Sequence, residues 1–121
     1  MIKNPKIEPI GKDRYRLLKA YVYTTDKGGV IAVPKGYLTN GADIPRLFWR
    51  LYPPFSPEYL PAVIVHDYLC DEADAMIDKA CRKRAFLFAD DVFREILFKL
   101  GVSRLKTTIF YKAVRLWHTI K

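Results

Sequence analysis

Two cysteines in 121 residues, Cys70 and Cys81, are too few for a disulfide framework, and nothing in their setting implies an oxidising compartment. They are read as idle or buried thiols. No apolar run reaches the roughly 18 residues needed to cross a membrane. The opening Met1-Ile2-Lys3-Asn4-Pro5-Lys6 has none of the apolar stretch of a secretory leader, so a cytoplasmic location in the producing cell is expected. No internal repeat or low-complexity segment is present. Acidic residues are also comparatively scarce, 13 against 21 Lys and Arg, for a formal charge of +8. That balance favours approach to anionic polymers. The basic residues are scattered, however, with Arg82-Lys83-Arg84 the only tight group, and no nucleic-acid reader motif accompanies them.

Half the residues are hydrophobic, enough for one core and too few residues overall for a second domain. Residues 1–121 are therefore taken as a single α+β domain, a small antiparallel β-hairpin sheet (about 13–39) packed with about four α-helices (about 44–120). Arg14 to Thr25 is rich in Tyr, Val and Leu, and Asp26-Lys27-Gly28-Gly29 supplies a hairpin turn into Val30–Val33. A short extended piece at Tyr37-Leu38-Thr39 follows the Pro34-Lys35-Gly36 turn.

Helix signals dominate the rest of the chain. Asp43 is placed to cap a short helix from Ile44 to about Leu51, with Pro45 in its first turn. Ser56-Pro57-Glu58 repeats that start signal for a second helix running to about Cys70. Asp71 to Lys79 lacks a sustained period and reads as a loop. A third helix is expected within Arg82 to Leu100, ended by Gly101, and a fourth is capped by Ser103.

The second helix is apolar around nearly its whole circumference except at His66 and Asp67. A carboxylate removed from water needs a cation, a donor network or a metal to stay charged. At about 100° per residue, Asp90 of the third helix lies at the edge of that helix's apolar stripe and can face the same pocket, whereas Asp91 and Glu95 point away. Arg46 and Arg115 are the available positive partners.

Three readings of these residues stand side by side. His66, Asp67 and Asp90, with Asp43, would surround a divalent metal such as zinc or manganese and activate a water for hydrolysis. Without a metal, His66 would act as general base, oriented by a carboxylate, with Arg46 stabilising developing negative charge. In the third, the same groups form a hydrogen-bonded network that fixes helix packing. The separate upstream histidine of the His-Asp phosphohydrolases is missing, and the only other histidine is His118, near the C-terminus. Trp49 and Trp117 read as core residues.

Asn40-Gly41-Ala42-Asp43-Ile44-Pro45-Arg46, Val65-His66-Asp67-Tyr68-Leu69, Ala89-Asp90 with Phe93, Gly101-Val102, and Tyr111-Lys112-Ala113-Val114-Arg115 together resemble domain-of-unknown-function family 1353 in order and spacing. The resemblance covers roughly residues 35 to 118. It implies an origin in tailed bacteriophages or prophages, and places His66, Asp67 and Asp90 on the family's His-Asp and Ala-Asp positions. Gly41, Pro45 and Arg46 fall on its turn motif, where the family often has Ser in place of Asp43. It implies no reaction. Two functions follow as expectations: a phage-encoded, metal-assisted hydrolase acting on an anionic polymer, or a non-enzymatic virion, tail or host-modulating protein partnered by phage structural proteins. The location expected is the host cytoplasm or the phage particle.

Overall fold

The computed structural model describes residues 2–12, 14–39 and 59–120. Five short strands precede three helices: β1 (Ile7–Gly11), β2 (Arg14–Leu17), β3 (Tyr21–Thr24), β4 (Val30–Val33), β5 (Leu38–Thr39), α1 (Leu60–Asp74), α2 (Lys79–Lys99) and α3 (Arg104–Ile120). The chain is α+β, with three helices among the described residues rather than about four. The expected short helix at 44–51, and the Ser56-Pro57 start signal with it, fall outside the described residues.

The strands form two antiparallel sheets, one ordered β1-β2-β5 and the other a β3-β4 hairpin. The Tyr- and Val-rich stretch expected as one strand is therefore two, because Leu18-Lys19-Ala20 carries the chain from one sheet to the other. The hairpin turn is as its composition requires. Gly28 adopts φ 90°, and Thr25 closes the loop by donating N–H to the Gly29 carbonyl at 2.8 Å and accepting from Gly29 N–H through Oγ1 at 2.9 Å. Alternation then places Tyr21 and Tyr23 inside and Val22 and Thr24 outside.

Helix α1 is buried without interruption from Pro61 to Asp67, which makes it the central element. Helix α2 begins earlier than expected because Asp78 accepts a hydrogen bond from Cys81 N–H at 3.2 Å and so caps it. The region read as a loop, Asp71 to Lys79, is in fact the last turn of α1, a tight connection and the first residue of α2. At the other end of α2, Gly101 has φ 80°, and Val102 N–H donates to the Leu97 carbonyl and Gly101 N–H to that of Phe98. This six-to-one and five-to-two pair reverses the chain. Ser103 then caps α3 by accepting from Lys106 N–H at 3.2 Å.

The core joins Leu17, Tyr23 and Val33 from the sheets to Val63 and Ile64 of α1, Phe93 and Leu97 of α2, and Phe110 and Val114 of α3. A smaller cluster of Cys70, Ala73, Phe86 and Ala89 fills the other end of the α1–α2 contact. The polar residues of the site lie beside that end.

Candidate metal centre

Each helix supplies part of one buried cluster. His66 and Cys70 are one turn apart on α1 and so project from the same face. Asp90 comes from α2, and Arg115 and His118 from the last turns of α3. His66, Cys70 and Asp90 are fully buried, and the His118 side chain is 1% exposed. Arg115, at 31% side-chain exposure, is the member that reaches solvent.

Asp90 is the hub. Its Oδ1 accepts from His66 Nε2 at 2.8 Å, and its Oδ2 accepts from both His118 Nδ1 at 2.8 Å and Arg115 Nη1 at 2.9 Å. Burial pushes its carboxyl pKa up, but the hydrogen bonds from His118 and His66 oppose it and hold the group below the usual carboxylate range. A charged Asp90 in turn fixes His118 with its proton on Nδ1. The ring's Nε2 is then left as a lone pair facing the Cys70 thiol, 3.7 Å from Sγ. His66 Nε2 lies 3.5 Å from the same sulfur, while its buried Nδ1 has no hydrogen-bond partner. Phe86 stacks on His118 at 4.3 Å between ring centroids, and Phe93 packs on His66 at 4.6 Å, so both rings are held in place.

His66, Cys70, Asp90 and His118 each present a donor atom within 4.8 Å of the others. A tetrahedral zinc with bonds of about 2.05 Å to nitrogen and 2.3 Å to sulfur has N···S edges of roughly 3.5–3.6 Å. The observed 3.5 and 3.7 Å match those edges. The two nitrogens of one imidazole point in nearly opposite directions, so Asp90 cannot both hold His118 Nδ1 and ligate an ion on Nε2 of that ring. It occupies the place of a carboxylate that orients a ligating histidine. The donor set is thus two imidazoles and a thiol, which suits zinc better than manganese.

The structure brings together two residues of the expected set, His66 and Asp90, with Arg115 as the cation. Asp67 turns the other way. It is 3% exposed and accepts a hydrogen bond through Oδ2 from Thr39 Oγ1 of β5, so it ties α1 to the sheet. Asp43 and Arg46 fall outside the described residues. Cys70 and His118 were not in the expected set. The spacing His66-x-x-x-Cys70 is the signal that could have found the thiol, whereas His118 is brought in only by the reversal at Gly101.

Comparison with known proteins bears on the same segment. The sequence pattern of DUF1353, described as a protein of unknown function, matches residues 15–114, most of the chain and every site residue except Arg115 and His118. The chain belongs to DUF1353. A protein of Sinorhizobium fredii, named as uncharacterised protein y4jT, is 45% identical over 40 residues, 32% of this chain. The aligned part spans only 12% of that relative's length. No solved structure matches this DUF1353 chain. Among the described residues no helix is long and apolar enough to cross a membrane.

Proposed function

We propose that this DUF1353 protein is a zinc-class metalloprotein that binds one ion through His66 Nε2, Cys70 Sγ and His118 Nε2, the ion replacing the proton that His66 Nε2 otherwise donates to Asp90 Oδ1, with Asp90 still orienting His118 through Nδ1. The carrying observation is the pair of N···S distances, 3.5 and 3.7 Å, in a cluster whose third side is an orienting carboxylate. Three protein donors leave a fourth position for water, the arrangement of hydrolytic zinc sites. Arg115, bonded to Asp90 and reaching solvent, is placed to meet an anionic substrate group. On this reading the protein is a metal-assisted hydrolase, and the family resemblance supports a role as a phage-encoded accessory protein.

A second reading is favoured by burial. None of the three donors is open to solvent, and an ion there would fasten α1 to α3 without chemistry. The protein would then serve as a non-enzymatic phage component.

Cobalt substitution tests both. A thiolate-to-cobalt absorption band together with tetrahedral d–d bands is expected at one equivalent, and its loss in Cys70→Ser and His118→Ala. Added azide should shift the d–d bands if the fourth position is open, and leave them unchanged if the ion is structural. Absence of any cobalt spectrum would end both readings.

A further inference from the structure

Away from the metal cluster, a cavity of about 860 Å³ lies between β3 and the N-terminal segment Ile2–Lys6. The two chain stretches start out close together. Leu18 N–H donates to the Lys6 carbonyl at 2.7 Å, continuing the β1-β2 ladder, and Tyr21 Oη donates to the Lys3 carbonyl. Beyond that they part and leave a slot along β3.

The slot has two properties that select a ligand. First, β3 pairs with β4 alone among the described residues, and none of these pairs with its other edge. Thr25 N–H bonds across the hairpin to Gly29, and the antiparallel alternation then directs Tyr21 and Tyr23 backbone groups toward β4. The N–H and C=O of Val22 and Thr24 point into the slot. Both residues are exposed, Val22 at 60%. Second, among the described residues the lining carries Lys3, Lys6, Lys19 and Lys99 and no acidic residue. Lys99 is held by Asp26 at 2.5 Å, but no carboxylate among the described residues pairs with the other three.

We infer that this slot binds an extended acidic peptide segment, which adds to the β3-β4 sheet as a third strand along β3. Alternating amide and carbonyl groups at strand spacing are what a polypeptide backbone matches, and the lysines supply selectivity for Asp or Glu side chains. A nucleic-acid strand fits less well. Among the described residues the aromatic rings in the lining are Tyr21 and Tyr23; both are buried, with their hydroxyls donated to the Lys3 carbonyl and to Glu95, so neither offers a face for base stacking. An unpaired edge left open without a partner would also be an aggregation hazard, which the surrounding lysines limit.

The probe is a fluorescein-labelled peptide of about eight residues alternating Glu and Thr, titrated into the full chain and followed by anisotropy. Saturable binding is expected, weakened by about tenfold or more in Lys3→Glu/Lys19→Glu. Methylating alternate backbone nitrogens on the peptide should abolish binding, because charge is kept and pairing is lost. Amide exchange at Val22 and Thr24 should slow when the unmodified peptide is bound. Equal binding of the methylated peptide would overturn the inference, as would a polyphosphate of equal charge binding as tightly without protecting Val22 and Thr24. So would no saturation at about millimolar peptide, a concentration well above ordinary peptide-recognition affinities.

Discussion

His118 and Asp90, 28 positions apart, meet at 2.8 Å through Nδ1 and Oδ2 inside the helical layer. Because that carboxylate is charged and also held by Arg115, the bond decides which nitrogen of His118 is free, and with it what Cys70 faces.

Replacing Asp90 by Asn should therefore weaken zinc binding by about 10- to 100-fold while leaving three donors in place, as loss of an orienting carboxylate does elsewhere. A competition titration with a chelating dye measures it. An unchanged affinity would assign Asp90 to packing only. Removing a donor outright, in His118→Ala or Cys70→Ser, should cost more.

Asp67 is expected to be a structural carboxylate independent of the metal. Thr39→Val removes the hydroxyl that donates to it and leaves a buried acceptor short of a partner, a loss of about 1–3 kcal/mol in urea unfolding. Zinc affinity should not change. A parallel fall in zinc affinity would return Asp67 to the ligand set.

Gly101→Ala tests the reversal that delivers His118. No atom lies within 4 Å of the added Cβ, so its cost is backbone strain at φ 80°. About 1–2 kcal/mol is expected in thermal or urea unfolding, and Gly101→Asn should lose less. A neutral Gly101→Ala would mean that the turn adopts another conformation.

Burial and a hydrogen bond to Glu95 push the Tyr23 phenol up to about 12, well above its unfolded value near 10. The folded state then holds this proton more tightly. Its contribution to stability is complete below about pH 10 and is lost as pH rises toward about 12. Unfolding midpoints measured across that window should fall more steeply for the wild type than for Tyr23→Phe. Parallel curves would show that Tyr23 is not the group responsible.

Much of this architecture is legible in the sequence because it is local. The Asp26–Gly29 turn, the Ser103 cap and the Gly101 terminator each depend on a few adjacent residues with definite backbone demands. The all-round apolar character of α1 and the inward angle of Asp90 come from a single helical period. Other features depend on distant neighbours. The separation of β2 from β3 is a choice of sheet and leaves no mark on side-chain alternation. Strand β1 is largely exposed and shows little pattern. His66 and Asp67 are adjacent, so about 100° of helix rotation separates their side chains, and one pocket could not easily serve both. Cys70 looks idle until His118, 48 positions later, is folded against it.

Zinc stoichiometry decides whether the three donors form one centre. Native mass spectrometry of the chain refolded with zinc should give one ion per molecule, retained in Asp67→Asn and lost in Cys70→Ser and in His118→Ala. Zinc retained in all three variants, or absent from the wild type, would contradict a centre built from His66, Cys70 and His118.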